Sequence, residues 1–115
     1  MNTYTATRDD ARVAFATTVP GDIIPLNLTD SPNGFMLQKG CFLCAEPTVN
    51  LNIALTKRFS AGLLGGEGFV LQKATGTGMV FLEVDGDPIE KVLAPGEVLK
   101  VDTGNVVGFE TSVSY

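Results

Sequence analysis

The string Pro20-Gly21-Asp22-Ile23-Ile24-Pro25-Leu26 returns 75 residues later as Pro95-Gly96-Glu97-Val98-Leu99-Lys100-Val101. A Gly-Phe pair trails each copy, Gly34-Phe35 after 14 residues and Gly108-Phe109 after 13. A shorter echo relates Gly34-Phe35-Met36-Leu37-Gln38-Lys39 to Gly68-Phe69-Val70-Leu71-Gln72-Lys73. Repeated units bury their faces against one another. A chain of 115 residues holds only about one and a half copies of a 75-residue period. The matched strings predict strands in equivalent places of two related units, and the half copy points to a piece of something larger.

The local pattern is strand after strand. Val49, Leu51, Ile53 and Leu55 alternate with Asn50, Asn52 and Ala54, the period of two that marks a half-buried strand. Val80, Leu82 and Val84 point one way, with Phe81 and Glu83 the other. Further extended runs are expected at Ile89–Leu93, Val98–Val101 and Val106–Tyr115. Asp85-Gly86-Asp87 between two apolar runs predicts a hairpin, because Gly accepts φ > 0. Pro20-Gly21, Pro95-Gly96 and Ser31-Pro32-Asn33-Gly34 carry turn chemistry. Leu55 to Gly66 is no convincing helix, since Gly62, Gly65, Gly66 and Gly68 crowd its end and each interior Gly costs about 1 kcal/mol. We expect one all-β domain over residues 1–115, a sandwich or barrel of short strands. Residues 1–19 read as the end of an incomplete repeat unit, and 20–115 as the units that follow.

Composition narrows the functions. Hydrophobic residues make up 44% and charged residues 18%, less charge than the roughly 25% of an average soluble domain. Some apolar surface is therefore expected to meet a partner or another part of the same chain. The net charge is −5, and the eight Lys and Arg are scattered, with Lys57-Arg58 the single basic pair. Nucleic-acid binders concentrate basic charge that displaces counterions, so no nucleic-acid partner is expected. No run approaches the ~18 apolar residues of a membrane helix, and Met1–Arg12 is unlike a signal peptide. A cytoplasmic address follows as the default. Histidine is absent, which removes the commonest acid-base group and metal ligand and excludes Ser-His and Cys-His nucleophile pairs.

The remaining motifs favour structure over chemistry. Cys41-Phe42-Leu43-Cys44 has C-x-x-C spacing, yet a zinc site needs four ligands and a redox pair needs an activated first thiol. In a strand-like run, residues three apart face opposite sides. The expectation is two free, reduced, largely buried thiols. Gly62-Leu63-Leu64-Gly65-Gly66-Glu67-Gly68 lacks the Gly-Lys-Ser/Thr closure of a phosphate loop, as does Gly76-Thr77-Gly78, so turns and close packing are expected of both. Asp85 and Asp87 with Glu83 and Glu90 lack the later bidentate Glu of a calcium loop. No catalytic residue, cofactor or metal ligand is assigned.

Taken in order, several strings resemble a known family: Gly40-Cys41-Phe42-Leu43-Cys44-Ala45, Gly65-Gly66-Glu67-Gly68-Phe69, Gly76-Thr77-Gly78-Met79-Val80-Phe81-Leu82, Leu93-Ala94-Pro95-Gly96-Glu97 and Val101-Asp102-Thr103-Gly104. They are similar to the mitochondrial biogenesis (altered inheritance of mitochondria) family with the TRAP-like β fold, across Pro20 to Tyr115. The resemblance implies a double-stranded β-helix or TRAP-like β-sandwich of repeated, pseudo-threefold units, with no established enzyme activity and no catalytic residues to carry over. Some members are mitochondrial and linked to inner-membrane organisation, whereas this chain shows no transit-like segment and fits a prokaryotic cytoplasmic member. Members are usually longer, with another β unit ahead. Met1–Ala6 resembles the inner end of that unit, so the chain reads as a fragment or a naturally short member.

The leading functional expectation is a non-enzymatic β module for assembly or protein interaction, self-associated or bound to a protein partner. The alternative is a small-ligand or metal-binding cupin-like protein, which would place a ligand or ion on Asp22, Glu67 or Glu97 in an enclosed pocket.

Overall fold

The computed structural model describes residues 1–57 and 69–115. It is all-β: among the described residues, helical geometry is confined to three single 3-10 turns. The strands are β1 (Gly21–Asn27), β2 (Phe35–Gln38), β3 (Phe42–Ala45), β4 (Val49–Lys57), β5 (Phe69–Gly76), β6 (Met79–Asp85) and β7 (Gly108–Glu110). Two antiparallel sheets result, one ordered β1-β6-β3 and the other β4-β5-β2-β7.

The sheets share one core. Val80 and Leu82 from β6, Leu37 from β2 and Ala74 from β5 are buried together with Leu28. The alternation along β6 is observed as expected: Val80, Leu82 and Val84 are buried, and Phe81 and Glu83 lie on the opposite face. Ile24, Leu26, Leu51 and Val107 pack around this cluster. Leu28 closes one end from the 3-10 turn Leu28–Asp30, where Asn27 Oδ1 caps the Thr29 N–H at 3.0 Å. The Leu28 N–H donates to the Gly78 carbonyl at 3.0 Å, so a fully buried side chain is held with its backbone satisfied.

The chain crosses from one sheet to the other at Gly76-Thr77-Gly78, between β5 and β6. Gly76 has φ 100° and Gly78 φ 111°, a region that side chains with a Cβ rarely enter. A Cβ on Gly76 would fall on the Thr48 carbonyl oxygen. The expected turn and close packing are therefore both present here. The other glycine string, Gly62 to Gly68, lies outside the described residues, and so does Glu67.

The sequence echoes become neighbours. β2, which carries the first Gly-Phe string, lies between β5, which carries its echo, and β7, which carries Gly108-Phe109. Leu37 sits opposite Gln72 on one side and Gly108 on the other. The long repeat behaves differently. Its first copy is β1, paired with β6 from Gly21↔Asp85 to Asn27↔Met79. Its second copy, Pro95 to Val101, is in no strand, which corrects the expectation of two equivalent strands. The Asp85-Gly86-Asp87 hairpin is likewise not formed. Gly86 turns with φ 72°, but β6 already has β1 on one edge and β3 on the other. A strand has two edges, so Ile89–Leu93 finds no ladder there. Ile53 is another correction: a register shift between Ile53 and Leu55 breaks the alternation, and Ile53 is exposed. The last extended segment shrinks to β7, preceded by the 3-10 turn Thr103–Asn105.

Candidate functional site

The two thiols are free but differently placed. Cys41 ends the 3-10 turn Lys39–Cys41, and Cys44 lies in β3 opposite Phe81. Both are half-buried rather than largely buried, because β3 is an edge strand covered on one side. Burial pushes the Cys41 thiol above its ordinary value, and the nearby Glu83 and Asp85 carboxylates add to the shift. Burial raises Cys44 as well. Raised thiols are poor nucleophiles at neutral pH, the opposite of an activated redox cysteine.

The carboxylates do not converge. Asp22 accepts the N–H of its neighbour Ile23 at 2.9 Å and is exposed at the start of β1. Glu97 clasps the Pro95-Gly96 turn: its carboxylate accepts the Ala94 N–H at 2.9 Å and meets Lys91 Nζ at 2.9 Å. Those contacts, the Ala94 N–H first, hold the Glu97 carboxyl below its usual value. Glu83 accepts the Thr18 N–H at 3.0 Å. Asp85, Asp87 and Glu90 are exposed. Among the described residues, no three of His, Cys, Asp and Glu gather as a metal site.

Sequence reasoning passed over Glu46, which organises the sheet crossing. Its Oε2 accepts the Met79 N–H at 2.7 Å, and its own N–H donates to the Met79 carbonyl at 3.0 Å. Thr48 donates its hydroxyl to the Thr77 carbonyl beside it. The signal available was Glu46-Pro47-Thr48, a polar turn between two apolar runs. The role is positional. A notch of about 110 Å³ lies between Asp30–Gly34 and Glu110–Ser112. It is smaller than the roughly 300 Å³ at which small-molecule pockets begin.

The feature with a physical demand is a pair of uncovered arms. The first runs from Met1 into β1, the second from Gly86 to Asp102. Ile89 is 94% exposed and Val98 80%, and Val92, Leu99 and Val101 are also open to solvent. On the first arm Tyr4, Val13, Phe15 and Val19 are exposed. Its anchors are Phe15 against Phe81, with ring centroids 5.3 Å apart, and Thr18 on Glu83. Among the described residues, and beyond the Glu97–Ala94 turn, no backbone–backbone hydrogen bond engages residues 87–101. The whole chain exposes 8880 Å², roughly half as much again as the about 6,000 Å² of a closed monomer of this mass. Its radius of gyration is 15.7 Å, against about 13 Å for a closed domain.

Among the described residues, no helix is long and apolar enough to cross a membrane. The family model described as Mitochondrial biogenesis AIM24 matches residues 1–115. No curated protein matches.

Proposed function

The chain belongs to the Mitochondrial biogenesis AIM24 family, and from that premise we propose that it is a non-enzymatic β module that assembles with protein through its two uncovered arms. The observation that carries this reading is the second arm, where large apolar side chains stand in water on backbone with no ladder partner. Apolar area of this kind is favourably removed from water, at about 25 cal/mol per Å². Unpaired extended backbone is also a template for strand addition. The lack of histidine supports a non-enzymatic role. Two unpaired thiols favour a reducing, cytoplasmic setting. The cupin-like alternative gains no support from the notch beside Glu110, which is too small, or from Asp22 and Glu97, which serve their own turns.

Hydrogen–deuterium exchange as a function of concentration tests the reading. Amides within residues 87–93 and 98–102, outside the Ala94–Glu97 turn, exchange fast in dilute solution and slow as the protein is concentrated. Amides of β6, already paired on both edges, stay slow throughout. Arm amides that exchange at the unprotected rate at every concentration, with or without protein partners, contradict it.

A further inference from the structure

A bulge in β3 puts the two cysteines on one face. Phe42 pairs with Leu82, Cys44 with Phe81 and Ala45 with Val80, and the register shifts between Phe42 and Cys44. Leu43 is the extra residue that the shift absorbs. Phe42 and Ala45 both pack on the core, although they are three apart. Each cysteine directly precedes one of them, so each steps to the outer face. For Cys44 the ladder agrees, since its partner Phe81 lies on the face of β6 away from the core. For Cys41 the charged neighbours agree: Glu83 and Asp85 act on its thiol, and both alternate with core residues on the Phe81 face of β6. The expectation that these two residues face opposite sides is therefore corrected.

The spacing suits an ion better than a bond between the sulfurs. Continuing the register puts Cys41 beside Glu83, two ladder positions from Cys44, a span of about 7 Å at ~3.4 Å per residue. That is at the outer limit for a disulfide. An ion bridges it more readily, because each metal–sulfur bond adds about 2.3 Å. The chain has no third cysteine and no histidine, and Glu83 already accepts the Thr18 N–H. Two thiols fall short of the four ligands of structural zinc, whereas thiolates select the softer Cu(I). Phe81, opposite Cys44, meets the Phe15 ring at 5.3 Å between centroids, an apolar flank of the kind that limits water at a metal site. The nearby carboxylates favour a cation over an anion.

We propose that Cys41 and Cys44 form a two-coordinate dithiolate site for a soft monovalent cation, Cu(I), on the outer face of the β1-β6-β3 sheet. Two S–H bonds break and two S–Cu bonds form. The two thiols and one Cu(I) give a bis-thiolate complex carrying one negative charge, and both protons leave to solvent. No electron is transferred, so no oxidant or reductant takes part. The site is separate from the uncovered arms and does not depend on assembly through them.

Anaerobic loading with Cu(I), supplied as its acetonitrile complex and followed by gel filtration, tests the site. The wild-type chain is expected to retain about one Cu(I) and to release two protons per ion at neutral pH. Cys41→Ser and Cys44→Ser are each expected to retain almost none, with circular dichroism showing the wild-type β signal. Cys41→Ala and Cys44→Ala repeat the test should a serine disturb the fold. Because the site is built by the β3 bulge, Cu(I) binds the folded chain in preference to the unfolded one and raises the urea midpoint. Wild-type protein that retains no copper overturns the proposal. So does a single-thiol variant that retains as much as the wild type. A urea midpoint that stays or falls on loading also overturns it, because the ion would then be held by the C-x-x-C string of the unfolded chain.

Discussion

Cys41 and Cys44 illustrate how one residue's surroundings set its chemistry. Their spacing suggests a redox or zinc pair, whereas their position raises both thiols. Burial, reinforced at Cys41 by Glu83 and Asp85, disfavours the thiolate. We expect alkylation by iodoacetamide at pH 7 to be slower at both thiols than at an unstructured cysteine. The rate should still climb above pH about 8.5, where a free thiol is half ionised. A thiol reacting faster than the unstructured reference contradicts this. The sign carries over to stability. A folded-state value raised above the unfolded one stabilises the fold below the unfolded thiol value, and that contribution is lost as pH rises through the folded value. Glu97 runs the other way. Its lowered value favours the turn above the unfolded carboxyl value, and the contribution fades as pH falls through the folded one.

The strands and their connections show what the sequence could and could not convey. The alternation in β6 was legible because both faces of that strand are filled, one by core and one by Phe15 and Glu83's partner Thr18. Gly76 and Gly78 were legible as turn and packing residues. The failed hairpin at Gly86 was not, because local turn chemistry carries no information about whether β6 has a free edge. Pairing is decided by β1 and β3, from distant parts of the chain. The bulge beside Ile53 was hidden for a similar reason, since it depends on register against β5. The crossing from β5 to β6 gives a direct test. Gly76→Ala places a Cβ at φ 100° and against Thr48. The expected cost is about 1–3 kcal/mol of stability, read as a lower urea midpoint with an unchanged slope. An unchanged midpoint would mean the crossing bends elsewhere. The Glu46-Pro47-Thr48 turn was visible in the sequence, but not that Glu46 would hydrogen-bond Met79.

For the whole molecule, the sequence conveyed the all-β class but not the shape. An all-β chain with an apolar excess and about one and a half repeat copies was expected to leave faces uncovered. The structure locates them: a shared core under two sheets, and two arms that leave it with apolar side chains in solvent. The candidate site was not legible in the sequence, where Val98–Val101 reads only as an extended run, because exposure depends on what lies opposite. Among the described residues, sheet order places no strand opposite the second arm. We take self-association as the form of assembly to test first, and the molar mass of the 115-residue chain in solution tests it most directly. Light scattering across about 1–100 μM, where species with exposed apolar surface associate, is expected to give a mass that rises above 12.1 kDa toward a whole multiple of it. A mass fixed at 12.1 kDa at every concentration would contradict the account, because the arms would then remain uncovered in a monomer.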